Sequence, residues 1–397
     1  MDVSKLLAGR VTHLKASAIR EIFKMVGKSD IISFAGGIPS PEVFPKEEFA
    51  RISNKILSEN GNAALVYGVT EGYVPLLEIV KELNKKVGVG SLIDQTVITT
   101  GAQQATDLVT RALVNDGEGI IVEEPSFIGS LNSFRSYNAR LFGAPMLDDG
   151  IDTDAVEEIL KKEKIKIIYT IPTFQNPTGV TLSLEKRKKL LELAKKYDCL
   201  ILEDNPYGDL RFKGEDVPTI KSMDDEGRVI YVGTFSKTLA PGIRVGHVTA
   251  HKDIIDRVVV VKQVNDVHTT LLSQMLVTEY INNNDYEAQI KKGCDLYKEK
   301  CDLMLKTMDE YFPKEVKYTR PDGGIFLWCT LPENINSGVL FEKALERKVA
   351  FVPGRTCNID IDSPSNCFRL NFSTASNEKI VEGIKILAEV IKEELNK

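Results

Sequence analysis

Thr234-Phe235-Ser236-Lys237-Thr238-Leu239-Ala240-Pro241-Gly242-Ile243-Arg244-Val245-Gly246 is the stretch from which the architecture reads outward. It joins two short apolar, β-branched runs, residues 229–233 and 245–249, each of strand length. A lysine directly behind a predicted buried strand, flanked by hydroxyls and followed seven positions later by Arg244, suits one chemistry. The lysine can form a Schiff base with an aldehyde cofactor, while the hydroxyls and the arginine can hold that cofactor's phosphate. Most lysines are solvated surface charges, so the assignment rests on what stands around this one.

Upstream, further runs of the same kind occupy residues 97–100, 119–123, 165–170 and 200–203, bounded by Gly, Pro, Asn or Asp. Their continuous apolar character predicts strands covered on both faces, as in parallel sheets. Helical periods separate several of them. Leu190, Ala194 and Tyr197 share one face of a helix over 185–197, with lysines on the other. A long helical region follows over 253–312, broken near 282–285. Beyond it come strand-like segments (324–330, 350–352, 368–372), a helix over 339–347 and a closing helix from Asn377. The expected organisation is a large α/β domain over 46–285 and a smaller, discontinuous α+β domain made of 1–45 and 286–397.

The length of 397 residues favours two such units. A hydrophobic share of 43% and a charged share of 27% exclude a disordered chain. The formal net charge of −6, without a basic stripe, argues against nucleic acid as a partner. Cys199, Cys294, Cys301, Cys329, Cys357 and Cys367 contain no CxxC pair, and the four histidines lack ligand spacing, so no metal site is expected. Residues 1–20 lack a signal-peptide core, and no run approaches a membrane span. A cytoplasmic protein is the simplest expectation.

Polar residues fall just past the predicted strand ends, the edge where open parallel α/β sheets bind ligands. Gly101-Ala102-Gln103 opens a helix whose first N–H groups suit a phosphate; read locally, it is an ordinary tight turn. Phe127 offers a stacking face for a flat ring, or plain core. Asn176-Pro177-Thr178-Gly179 is a turn by its composition, and Asn176 can also donate to a phenolate oxygen. Asp204 ends an apolar strand, where a carboxylate is costly unless paired. A protonated pyridine nitrogen is one partner and a helix cap is the other reading. Tyr207 can share the phenolate with Asn176, and Arg244 is a fork for phosphate. Other cofactor motifs fit worse. Gly88-Val89-Gly90 precedes a strand and reaches Ile93 where a dinucleotide fingerprint wants glycine. A phosphate loop ending at Lys237 would need glycine at Tyr231 and Ser236.

In this order, Asn-Pro-Thr-Gly, Asp-x-x-Tyr and Ser-Lys with the later Arg resemble class I, fold-type I pyridoxal-phosphate aminotransferases, nearest the aminoadipate and kynurenine/aromatic subgroup. The resemblance runs from the segment at 36–45 to Arg369. It implies an α/β fold with a mainly parallel seven-stranded sheet between helices, plus the smaller α+β domain. It makes Lys237 the Schiff-base lysine, Asp204 the partner of the pyridine nitrogen, Asn176 and Tyr207 the phenolate contacts, and Phe127 the stacking ring. Gly101, Ala102, Gln103, Thr234, Ser236 and Arg244 surround the phosphate, with Thr234 where many relatives have serine. Tyr67 matches a tyrosine that reaches the neighbouring subunit's phosphate, implying a homodimer with shared sites. Arg369 matches the clamp on the substrate α-carboxylate, and Gly37 sits beside the substrate. Arg20 falls where relatives carry a mobile covering helix; it meets a distal carboxylate there or faces solvent.

The activity implied is ping-pong transfer of the α-amino group of a 2-aminoadipate, aromatic or branched-chain type amino acid to a 2-oxo acid such as 2-oxoglutarate. Two alternatives use the same module. Other fold-type I chemistry, such as a C–S lyase or a decarboxylase, would share every cofactor contact. An aminotransferase-like regulator would need a DNA-binding domain ahead of a module that here begins near residue 1, so it is not expected.

Overall fold

The computed structural model describes residues 3–12, 14 and 31–397. Its main sheet forms from β2 (Asp94–Thr99), β3 (Gly119–Glu124), β4 (Arg140–Leu147), β5 (Gly150–Ile151), β6 (Ile165–Thr170), β7 (Leu200–Asp204), β8 (Val229–Thr234) and β9 (Gly246–His251). The strand order is β2-β9-β8-β7-β6-β3-β4-β5. Neighbours pair in parallel except around β9 and β5, which run against the rest. The seven expected strands are thus present, with the two-residue β5 as an eighth at the edge.

The apolar runs are doubly covered, as their composition requires. Ile120, Val122, Ile167, Tyr169, Leu202, Ile230 and Val232 pack into one cluster. Their alternating neighbours Ile121, Ile168, Ile201 and Val229 pack into another, against Leu190, Leu193 and Ala194 of the helix Leu184–Lys196. That helix also buries Arg187, one turn before Leu190. Its guanidinium donates to the carbonyls of Pro172, Leu182 and Pro218, so no exposed partner is needed.

Two features depart from the sequence reading. β4 carries Gly143 and Pro145, residues that weaken a strand signal, and it is tolerated because only β5 lies beyond it. The region 253–312 is three helices, Lys252–Asn265, Leu271–Asn283 and Tyr286–Tyr311. The break expected near 282–285 is present, between Asn283 and Tyr286. A second break is carried by Val267 at φ 66°, and no glycine or proline announces it.

A second sheet is antiparallel, in the order β10 (Lys317–Tyr318), β11 (Phe326–Thr330), β14 (Cys367–Asn371), β13 (Val352–Pro353). Helices Ser337–Glu346 and Asn377–Leu395 pack with it. The N-terminal strand β1 (Ile32–Ser33) pairs in parallel with β12 (Val349–Ala350), and Asn371 N–H donates to the Phe34 carbonyl at 2.8 Å. This brings residues 34–38 over the carboxyl ends of the large sheet.

Candidate active site

The carboxyl ends of β3, β6, β7 and β8 and the start of the helix after β2 converge on a cavity of about 220 Å³. Ala102, Gln103, Phe127, Asn176, Asp204 and Lys237 line it, as do Tyr207, Thr234, Ser236 and Arg244. A larger cleft of about 1060 Å³ beside Val87 and Arg211 contains none of the predicted site residues. Of its five cations, Lys86, Arg211, Lys291 and Lys298 are already paired, with Glu287, Asp216, Asp295 and Asp302.

At one end of the cavity the backbone is shaped for an anion. Gly101 caps the helix Ala102–Leu113 at φ 76°, and a Cβ there would press on the Arg244 guanidinium. The positive φ selects glycine here, and a side chain would also displace the guanidinium. The N–H groups of Ala102 and Gln103 lie in the first turn, where a helix supplies no acceptor. The Gln103 side chain turns away, donating to Gly129 O and Ser133 Oγ, so its contribution to the site is its main chain. Thr234 Oγ1 donates to Ser236 Oγ at 3.0 Å. Arg244, in the left-handed region, is held by the carbonyls of Pro241 and Thr100.

At the other end stands Asp204. Its Oδ2 accepts from Tyr169 Oη at 2.9 Å, while its Oδ1 is buried with no partner among the described residues. Burial pushes this carboxyl up to about 6, against the Tyr169 hydrogen bond and the Lys237 charge. An unmet buried carboxylate oxygen is costly, and a cationic ring N–H directed at Oδ1 answers it. The helix-cap reading of Asp204 is therefore not the structure's.

Between these ends, Phe127 and Ile171 line the walls. Asn176 Nδ2 donates to Tyr207 Oη at 3.4 Å, and Asn176 Oδ1 accepts from Arg369 Nη1 at 2.8 Å. Arg369 also donates to the Ala35 carbonyl at 2.9 Å and lies 4.2 Å from the Phe326 ring. It is 2% exposed, faces no carboxylate in these contacts, and its Nε has no partner among the described residues. The turn read at Asn176-Pro177-Thr178-Gly179 is present. Gly179 at φ 73° approaches the Phe326 carbonyl so closely that a Cβ would stand 2.7 Å away.

Lys237 Nζ donates to Gly37 O at 2.8 Å. Burial, then Arg369 and Arg244, push its amine down to about 8, with Asp204 opposing. A phosphorylated, cationic aldehyde ring matches this donor set: anion cradle, unmet carboxylate oxygen and a depressed amine in one cavity.

Nearly all the predicted residues that the structure describes meet here; Tyr67 does not. Tyr67 is 86% exposed and packs edge-on against His268, outside its own chain's cavity. Arg20 lies outside the described residues. Tyr169, Ser130 and the Ala35 carbonyl belong to the site and escape the sequence reading. Tyr169 reads in sequence as ordinary strand core, and a main-chain acceptor leaves no compositional mark.

A profile of the family "Aminotransferase class I and II" matches residues 45–387. The chain is 43% identical to aromatic-amino-acid aminotransferase 1 of Thermococcus litoralis, covering 100% of this chain and 96% of that one. A solved kynurenine aminotransferase of Pyrococcus horikoshii, in complex with PMP, superposes with a TM-score of 0.95 at 42% identity, over 99% and 98% of the two chains. The α-aminoadipate aminotransferase LysN of Thermus thermophilus, solved with N-(5'-phosphopyridoxyl)-L-leucine, gives 0.92 at 39% identity over 100% of both. Sequence and fold agree over essentially the whole chain, and the protein belongs to the class I and II aminotransferases, pyridoxal-phosphate enzymes of amino-acid transamination.

Proposed function

We propose that this aminotransferase accepts amino acids of the 2-aminoadipate, aromatic or branched-chain type and passes the amino group to a 2-oxo acid such as 2-oxoglutarate, in two half-reactions at one site. The substrate range follows from the relatives, which are named for aromatic amino acids, kynurenine and aminoadipate. The observation that carries the residue assignment is the unmet Asp204 Oδ1 sharing a cavity with a depressed lysine amine.

When bound, pyridoxal phosphate supplies an aldehyde that condenses with amines and a cationic ring that draws electrons from the substrate Cα. Asp204 would hold the ring nitrogen, Asn176 and Tyr207 the phenolate oxygen, and Phe127 a ring face. Gly101, Ala102 and Gln103 through the main chain, with Thr234, Ser236 and Arg244, would hold the phosphate. Arg369 grips the substrate α-carboxylate beside Gly37, and so orients Cα toward Lys237. Lys237 Nζ takes the Cα proton. With a pKa of about 8 instead of 10.5, roughly a tenth of the amine is neutral at pH 7, against about three parts in ten thousand.

An amino-acid panel added to the loaded enzyme tests this reading. Absorbance should pass from the aldehyde to the amine form of the cofactor, with one 2-oxo acid released per amino group retained. Ammonia or carbon dioxide in place of retained amine would identify a lyase or a decarboxylase instead.

The same reading includes a homodimer and a cytoplasmic location. Leu65, Val66, Tyr67, Val69 and Val74 are exposed in a single chain, an apolar run that suits an interface and lets Tyr67 reach a partner's phosphate cradle. The six cysteines are free, and no helix among the described residues is long and apolar enough to cross a membrane. We take 46–285, and 1–45 with 286–397, as the two domains, supported by the β1–β12 pairing. Sedimentation at twice the chain mass and recovery in the soluble cell fraction are expected; a fully active monomer would remove Tyr67 from the site.

A further inference from the structure

Asp204 is not held by its backbone alone. Tyr169 Oη lies 2.9 Å from Asp204 Oδ2, and Ser130 Oγ lies 2.8 Å from the same Tyr169 oxygen. Tyr169 is 0% and Ser130 1% exposed. The three groups come from separate elements, β7, β6 and the first turn of the helix Ile128–Ser136 that follows Phe127.

The direction of this chain follows from the donor inventory. An ionised carboxylate only accepts, so the single phenol proton of Tyr169 is committed to Oδ2. Ser130 must then donate to the phenol oxygen. Burial and the neighbouring Asp204 push the Tyr169 phenol far above its ordinary value, so it acts as a donor throughout. A hydroxyl that donates into Tyr169 polarises it and strengthens the second bond.

We propose that Ser130 and Tyr169 are positioning residues that keep Asp204 ionised and aim its free oxygen, Oδ1, at the cofactor ring nitrogen. The inference rests on the assignment of Asp204 made above. A hydrogen bond to the charged form lowers carboxylate basicity. A proton shared between the ring nitrogen and Oδ1 therefore stays on the nitrogen, which preserves the ring's positive charge. Without the phenol, Asp204 becomes more basic and draws that proton toward itself. Lys237, Glu123, Tyr207 and Tyr231 are the other charged or titratable groups coupled to Asp204, and none of them is substituted in the Tyr169 and Ser130 variants. The plain alternative is that Tyr169 is core: it packs edge-on against Phe134 at 5.2 Å, and its hydroxyl would merely be satisfied.

The test uses the full-length enzyme loaded with pyridoxal phosphate labelled with 15N in the ring. The nitrogen chemical shift is compared in wild type, Tyr169→Phe, Ser130→Ala and Asp204→Asn. Tyr169→Phe should move the shift toward the unprotonated pyridine value and lower kcat by about ten- to a hundred-fold, the worth of one hydrogen bond to a charge. KM should stay within about two-fold, since Arg369 is untouched. Ser130→Ala should shift in the same direction by less. A core role predicts a lower melting temperature with an unchanged nitrogen. An unshifted nitrogen in Tyr169→Phe overturns the proposal, and if that variant does not fold, an unshifted nitrogen in Ser130→Ala does. If Asp204→Asn also leaves the nitrogen unmoved, the ring-nitrogen assignment of Asp204 falls with it; if only Asp204→Asn moves it, that assignment survives alone.

Discussion

Lys237→Ala is expected to lower turnover by at least ~10⁴-fold, because the group proposed both to attach the cofactor and to shuttle the proton is lost. Among the described residues, the cavity offers no substitute base at that position. Tyr207, the neighbour whose ring lies 5.6 Å from Lys237 Nζ, has its phenol pushed above its ordinary value by burial. Borohydride treatment of the loaded wild type, then digestion, should place the modified peptide on Lys237. The pH arm has a definite sign. Burial depresses the amine to about 8, and the neutral amine is the nucleophile. Capture of the cofactor by the apo protein should therefore rise as pH passes upward through about 8, not through the ordinary lysine range near 10.5. Full activity in Lys237→Ala ends the assignment.

Arg369→Ala should cost kcat/KM for α-amino acids roughly 10²–10⁴-fold. Two charge-assisted hydrogen bonds at about 1.5–3 kcal/mol each convert to that range at about 1.36 kcal/mol per decade. The loss reaches beyond the substrate. Arg369 also tethers Asn176 Oδ1 and the Ala35 carbonyl, and a buried acceptor left unmet costs about 1–3 kcal/mol of stability. Arg369→Lys restores the charge but not the fork, so intermediate activity is expected. The steady-state measurement has an internal control. An amine with the same side chain and no α-carboxylate should react equally poorly with wild type and variant. A variant with wild-type kcat/KM would place the carboxylate elsewhere.

Much of this site is legible without coordinates because its chemistry sits at strand ends. Asp204 announces itself as a carboxylate terminating an apolar run, Lys237 as a cation behind another, and Gly101 and Gly179 as turn glycines whose positive φ the structure uses. Where local composition is silent, the reading fails. Strand β4 hides behind Gly143 and Pro145. The break at 266–270 contains Val267, a β-branched residue in the left-handed region, which Lys262 helps to hold by anchoring Asp266. The burial of Arg187 has no signal in the chain, because its carbonyl acceptors come from distant loops.

By itself the sequence determines the alternation of doubly buried strands and helices, the kind of cofactor those strand ends can hold, and which lysine is the candidate for the attacking amine. These follow from local periodicity and from residue types whose burial has few chemical excuses. Tertiary structure alone decides which oxygen of Asp204 is left free, that Gln103 serves through its backbone, that Arg369 leans on Asn176, and that Tyr169 and Ser130 stand behind the carboxylate. Those facts depend on hydrogen-bond partners far apart in the chain, and only the packed sheet brings such groups within hydrogen-bonding distance of one another.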